Sequence, residues 1–123
     1  RPQKRASSEY FLGNVFQDPI IEAPEPARVR AIKVLFEPKA RTAWHSHPLG
    51  QTLFVVSGVG LVGLRNETPT IINVGDTIWF PPGEEHWHGA TKGSSMEHIA
   101  IQEALDGKVA NWLEQVLDDD YYL

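Results

Sequence analysis

Two histidines and a glutamine lie within seven residues of one another and carry side chains that bind metal ions. His45 and His47 are separated by one residue, and Gln51 follows four residues after His47. Successive side chains of an extended strand point to opposite faces, so both imidazoles lie on one face. Gln51 lies beyond a Pro-Leu-Gly corner at 48–50 and has the parity to return to that face. Two imidazoles placed in this way can share one metal ion.

A third imidazole follows a proline and a glycine at the edge of a second predicted strand. His86 stands three residues after Gly83 and five after Pro81. A lone histidine on a half-buried strand is more often a structural residue, and a single H-x-H pair recurs by chance. The two patterns together are more specific, because neighbouring strands of a barrel can bring them to one point. They predict a metal site formed by His45, His47, Gln51 and His86.

The predicted ligands restrict the chemistry of the site. The chain has no cysteine, which excludes disulfides, thiolate ligands and a cysteine nucleophile. Imidazole suits zinc, copper, iron and nickel, and the amide oxygen also tolerates manganese. Because all the ligands are neutral, a divalent ion keeps its full charge and acts as an electrophile. About two positions stay open on an octahedral ion, which a structural tetrahedral zinc would not offer.

The elements that must position these residues are predicted to be mostly short strands. Glycine and proline recur at short intervals from Val29 onward, which is typical of an all-β sandwich or barrel. Before it, residues 1–8 are expected to be disordered and 17–27 to form an irregular loop, with a possible strand at 9–16. Residues 108–117 have the periodicity of an amphipathic helix lying on the sheet. The predicted strands are 28–36, 41–47, 52–56, 59–64, 70–73, 77–80 and 95–102.

Length, composition and charge favour one globular domain, with an N-terminal arm at 1–27 and the barrel and helix at 28–123. The chain has 123 residues and a net charge of −5, and we find no basic stripe that would favour nucleic acid or a membrane surface. No apolar run reaches the ~20 residues of a membrane span. We expect a cytoplasmic protein; a removed targeting segment upstream of Arg1 is the alternative. Because strand 52–56 is apolar on both faces, a second sheet or subunit should cover it.

The two histidine motifs resemble those of the cupin family. The first family motif, G-x5-H-x-H-x3,4-E-x6-G, corresponds to Lys39, His45, His47, Gln51 and Gly58. The second, G-x5-P-x-G-x2-H-x3-N, corresponds to Gly75, Pro81, Gly83, His86 and Ala90. The departures are lysine for glycine, glutamine for glutamate and alanine for asparagine, and only the glutamine changes a ligand. The resemblance implies a sandwich barrel of jelly-roll type, a metal inside its mouth, and subunits paired through their sheets as a homodimer or homotetramer.

Three runs, 36–51, 79–90 and 98–102, look more narrowly like the bacterial cupin hydroxynitrile lyases. That resemblance implies a manganese site with three histidines and one glutamine, and cleavage of a small α-hydroxynitrile into a carbonyl compound and cyanide. It favours His98 as the base that removes the hydroxyl proton. His88, which shares the parity of His86, is the second candidate, either as base or as stabiliser of the leaving cyanide. Either imidazole is a suitable base near pH 7.

Two other functions are compatible with the sequence. The first is a dioxygenase that uses iron or copper held by the three histidines. The second is a non-enzymatic cupin, whose pocket would be sealed by Trp44, Trp79 or Trp87. We interpret Arg41 as a salt-bridge partner at the barrel rim. The candidate apolar pocket walls are Ile32, Val34, Phe36, Leu53, Trp79 and Met96.

Overall fold

The computed structural model describes residues 4–121, which form an all-β architecture of two curled sheets, as the sequence predicts. Strands 70–73 and 77–80 have the expected bounds, and most others differ from the prediction at their ends. The strands are β1 (Lys4–Arg5), β2 (Phe11–Leu12), β3 (Val15–Glu22), β4 (Val29–Phe36), β5 (Arg41–Thr42), β6 (His45–Ser46), β7 (Gln51–Leu64), β8 (Thr70–Asn73), β9 (Thr77–Phe80), β10 (His86–Ala90), β11 (Met96–Glu103) and β12 (Asn111–Trp112), and the helix is α1 (Asp118–Tyr121).

The long strand β7 belongs to both sheets. Its first half pairs with β11 and β9, and its second half pairs with β10 and β8. The expected break between strands 52–56 and 59–64 is therefore wrong, and the strand is continuous. Close packing explains the glycines there: a Cβ on Gly63 would lie 2.0 Å from Nε1 of Trp87, and one on Gly58 would lie 1.8 Å from the carbonyl oxygen of Ser95. These glycines permit close approach and do not end a strand.

The N-terminal region is more regular than the sequence suggested. Residues 17–27 were expected to form a loop, but β3 covers 15–22 and pairs along β4. Pro19 is tolerated because the register shifts between Pro19 and Ile21, where a ladder hydrogen bond is not required. Lys4 and Arg5 pair with β3, so the expectation of disorder is wrong for the described part of 1–8; residues 1–3 lie outside the described residues. The possible strand at 9–16 is divided between β2 and the start of β3.

The C-terminal helix is present, but it is the single turn α1 at 118–121, and the helix expected at 108–117 is wrong. Strand β12 pairs with β6, Leu113 donates to the carbonyl of Trp44, and Trp44 donates to that of Glu114. The helical pattern fails because the open edge of β6 offers backbone partners that an amphipathic helix would leave unsatisfied. The segment from 108 to 117, which we call the C-terminal strap, therefore lies extended across the barrel mouth.

The sheets bury their apolar residues in clusters on either side of the histidines. Phe36, Val55 and Met96 belong to one cluster, and Trp44 and Trp87 to another. The outer face of strand 52–56 has no complete cover within the described chain, since 41% of Phe54 is exposed. No helix in the described range is long and apolar enough to cross a membrane.

Candidate metal centre and adjacent cavity

The three histidines of the two motifs meet at the barrel mouth, although they come from distant parts of the chain. His45 and His86 are direct partners across β6 and β10, and their ring centroids lie 4.4 Å apart. The ring of His47 lies 5.0 Å from that of His45 and 5.4 Å from that of His86. All three side chains are buried, and Phe80 stacks on the His86 ring at 3.6 Å.

A backbone carbonyl fixes the tautomer of each of these rings. Nδ1 of His45 lies 2.9 Å from the carbonyl oxygen of Ala43, that of His47 lies 2.7 Å from the oxygen of Val109, and that of His86 lies 2.9 Å from the oxygen of Glu84. A carbonyl oxygen only accepts, so each Nδ1 carries the proton and donates it. Each Nε2 is therefore a bare lone pair, the form in which histidine binds a metal.

Gln51 adds a fourth lone pair to this point. Its Oε1 lies 3.2 Å from Nε2 of His86, yet neither atom carries a proton, so the contact is not a hydrogen bond. Nε2 of His47 is buried and has no hydrogen-bond partner among the described residues. Three bare nitrogens and an amide oxygen repel one another unless a cation lies among them. The residues present thus fit a divalent metal ion.

Burial keeps these imidazoles neutral. It lowers the pKa of His86 from 6.5 to about 3, with a smaller contribution from His47. Burial, and then the neighbouring His86 and His47, lower the pKa of His45 well below its usual value. The pKa of His47 is also lowered by burial, although its contact with Val109 opposes the shift. Near pH 7 the ligands need not lose a proton before they bind a metal.

His88 and His98 form a buried pair beside the three histidines. Nε2 of His98 lies 2.9 Å from Nδ1 of His88, so the two rings share one proton between these atoms. Nδ1 of His98 and Nε2 of His88 are buried, and neither has a hydrogen-bond partner within residues 4–121. Burial lowers the pKa of His98 to about 4, and burial together with four neighbouring histidines lowers that of His88 well below 6.5. The histidines whose ring nitrogens lie within 4.8 Å of one another in the described part of the chain are His45, His86 and His88, a grouping in which His88 takes the place that the motifs predicted for His47.

Three of the predicted ligands, His45, His47 and Gln51, border one cavity of about 220 Å³ together with the His88–His98 pair, whereas His86 does not line it. Of the expected apolar walls, Ile32 and Val34 line it. Phe36, Leu53 and Met96 lie in the core and do not, and Trp79 is 57% exposed and lies elsewhere. The residues that line the cavity are Phe11, Gln17, Pro19, Ile21, Glu22, Arg30, Ala31, Ile32, Val34, Thr42, His45, His47, Gln51, His88, His98, Ala100, Gln102, Val109, Ala110 and Trp112.

Three residues of the site were not identified from the sequence. Trp112, whose ring lies 4.6 Å from that of His45, was assigned to a helix face. The carbonyl of Val109 carries no side-chain signal at all. Gln102 accepts a hydrogen bond from Gln51, and only its inward parity with His98 on β11 pointed to it. None of the tryptophans expected to seal the pocket, Trp44, Trp79 and Trp87, lines the cavity.

Arg41 forms the salt bridge that we expected, with Asp118, but it is buried and does not lie at an exposed rim. Only 3% of it is exposed, and its Nε and Nη2 both donate to the carbonyl of Val116, at 3.1 Å and 2.8 Å. Its guanidinium lies 4.2 Å above the ring of Tyr121 and also pairs with Asp118. Arg41 therefore anchors the end of the C-terminal strap, whose Val109 carbonyl orients His47.

Comparisons with known proteins agree with this architecture. The profile of the family described as "Cupin domain" matches residues 32–101. The chain is 50% identical over 117 residues to an (R)-mandelonitrile lyase from Granulicella tundricola, covering 95% of this chain and 89% of that protein. A cupin-like protein from Thermotoga maritima superposes with a TM-score of 0.91 at 35% identity, covering 98% of this chain and 92% of the other. A polyketide cyclase from Streptomyces resistomycificus, at 19% identity and a TM-score of 0.68, shares the fold over 88% of this chain and 75% of its own.

Proposed function

This chain belongs to the cupin family, and from that premise we propose that it is a metal-dependent lyase that cleaves a small α-hydroxynitrile into a carbonyl compound and hydrogen cyanide. The observation that carries the proposal is the grouping of three imidazole rings, each with a bare Nε2, and the amide oxygen of Gln51 beside a small cavity. Half of the residues are shared with an (R)-mandelonitrile lyase over almost the whole chain, which supports the same reaction class.

His45, His47, Gln51 and His86 would hold the metal, and manganese is the ion we propose. Imidazole and amide oxygen together accept it, and no thiolate is present to favour a softer ion. When bound, the divalent ion supplies Lewis acidity, which favours loss of a proton from a neighbouring hydroxyl group. The neutral ligands leave that acidity undiminished.

His98 is the proposed base. It lines the cavity beside His45, His47 and Gln51, and Nε2 of its ring lies 2.9 Å from Nδ1 of His88. In the tautomer in which Nε2 of His98 donates to His88, Nδ1 is bare and accepts the proton of the substrate hydroxyl. The electrons of the breaking C–C bond leave with cyanide, and the hydroxyl oxygen becomes the carbonyl oxygen. His98 then returns the proton to cyanide, with His88 beside it to stabilise the leaving group.

The cavity suits a small substrate. Its volume of about 220 Å³ is below the range of roughly 300–1,000 Å³ that drug-sized ligands occupy. Ile32, Val34 and Trp112 offer apolar surface to a side group, and the histidines offer polar atoms to the hydroxyl and nitrile groups. The polar side chains of Gln17, Glu22 and Arg30 also line the cavity. An aromatic or branched α-hydroxynitrile such as mandelonitrile has this division of polarity.

The proposal is tested with manganese-loaded protein and (R)-mandelonitrile under argon, by following benzaldehyde release. We expect turnover without oxygen, and a fall of about 10²–10⁴-fold in kcat for His98→Ala with manganese content unchanged. Gln17→Ala, which shortens a polar side chain of the cavity wall on β3 and leaves all five histidines in place, is the matched control and should retain far more activity than His98→Ala. If His98→Ala releases benzaldehyde as fast as the unmodified protein, the assigned base is wrong. Turnover that requires oxygen would favour the dioxygenase.

A further inference from the structure

The side-chain amide of Gln51 has different partners on its two sides. Its Oε1 faces Nε2 of His86 at 3.2 Å, and its Nε2 donates to Oε1 of Gln102 at 3.0 Å. Gln51 and Gln102 are direct partners across β7 and β11, so the backbone holds the two amides next to each other. Gln51 itself is buried, with 4% of its surface exposed.

In the absence of other contacts, the amide of Gln51 would favour the reversed orientation, with its NH2 group toward Nε2 of His86. Nε2 of His86 is a bare lone pair, because Nδ1 donates to the carbonyl of Glu84. An amide NH2 group facing that lone pair would form a hydrogen bond, whereas the observed oxygen faces it without one. The reversed amide would direct two N–H donors at the point where the lone pairs converge, and a cation would be repelled from it.

We propose that Gln102 is a positioning residue, which holds the Gln51 amide with its oxygen toward the three histidines and so maintains a fourth oxygen ligand for the metal. This inference rests on the metal centre of the proposed function, but not on the reaction. With the Gln102 amide in its observed direction, a reversed Gln51 would place oxygen against oxygen, so reversal would require both amides to turn together. Such contacts behind a ligand typically change metal affinity by about 10–100-fold.

The test is the affinity for Mn²⁺, measured by competition with a chelator and followed by the electron paramagnetic resonance signal of the free ion. Gln102→Met keeps the length of the side chain and removes the acceptor, and it should weaken binding by about 10–100-fold. Gln102→Glu keeps acceptors on both oxygens and should retain the affinity. Gln17, on β3, is another glutamine of the cavity wall. Gln17→Met is the control for the loss of polarity in Gln102→Met, and Gln17→Glu is the control for the added charge in Gln102→Glu.

A double-mutant cycle separates positioning from general damage. In a Gln51→Ala background there is no amide to orient, so Gln102→Met should change the Mn²⁺ affinity by less than about twofold. The inference would be overturned if Gln102→Met bound Mn²⁺ as tightly as the unmodified chain. It would also be overturned if Gln102→Met reduced the Mn²⁺ affinity equally in the unmodified chain and in the Gln51→Ala variant. The measured quantity is Mn²⁺ affinity, so the test does not depend on turnover. If Gln102→Met weakens Mn²⁺ binding but the protein cleaves no hydroxynitrile, the positioning role of Gln102 is supported and the proposed reaction is refuted.

Discussion

Arg41→Met should lower the free energy of unfolding far more than a substitution that only removes the charge of Asp118, the ion-pair partner of Arg41. Methionine keeps the apolar stem of the side chain and removes the guanidinium, which donates twice to the buried carbonyl of Val116. A buried carbonyl left without a donor costs about 1–3 kcal/mol. The cation–π contact with Tyr121 at 4.2 Å adds about 1–2 kcal/mol, since the guanidinium is desolvated.

The expected loss in the free energy of unfolding is therefore about 2–5 kcal/mol for Arg41→Met. Asp118→Asn is the matched variant, because it removes the charge of the partner and keeps its shape. The Asp118 side chain is 71% exposed, so its pair with Arg41 is screened by solvent and should contribute less than about 1 kcal/mol.

Urea unfolding of the metal-free protein at pH 7.5 measures both changes under conditions in which metal affinity does not contribute. The slope of the transition must stay the same for the comparison to hold. A loss below about 1 kcal/mol for Arg41→Met, or equal losses for the two variants, would refute the reasoning. Arg41 would then be the rim salt-bridge partner that its position in the sequence suggested.

Two further predictions concern pH and assembly. His86 and His98 stay neutral in the folded metal-free chain down to pH values of about 3 and about 4, whereas both titrate near 6.5 when unfolded. The unfolded chain therefore binds more protons, so stability should be constant above pH 7 and should fall as pH drops from 6.5 toward 4, by up to ~1.4 kcal/mol per pH unit for each of the two histidines. Urea titrations measure this change, and a flat profile would contradict the prediction. Phe54, Trp79 and Ile101 lie exposed on one face of the sheet, so we expect a second copy to cover it. Phe54→Lys should lower the mass found by light scattering, whereas Ile71→Lys on the other sheet should not; unchanged mass in both would exclude this face.

Much of the fold could be predicted because it depends on local patterns. Strands 70–73 and 77–80 are bounded by turn residues, and the sequence places them correctly. The predictions of a loop at 17–27 and of a helix at 108–117 were wrong for a common reason. Both segments are extended because an open strand edge, that of β4 or β6, offers them backbone hydrogen bonds. Which edge is open follows from the arrangement of the sheets, which local propensity does not contain.

The candidate site also has features that follow from the local sequence and features that depend on the tertiary structure. The residue types and spacings of His45, His47, Gln51 and His86 follow from the sequence, because strand alternation and two short corners suffice to direct them to one side. Whether they bind a metal stays a prediction, as do the roles of His88 and His98. The grouping of these side chains in the structure agrees with the predicted metal site and with the predicted roles of His88 and His98.

Only the tertiary structure decided which atoms of these side chains face one another. The carbonyls of Ala43, Val109 and Glu84 hold the proton on each Nδ1, and Gln102 turns the amide of Gln51. Val109 and Gln102 are 62 and 51 residues away in sequence from the side chains they orient. The sequence by itself determined which donors the chain has and which face they share. Their protonation and direction depend on backbone groups that come close only when the barrel closes and the C-terminal strap crosses its mouth.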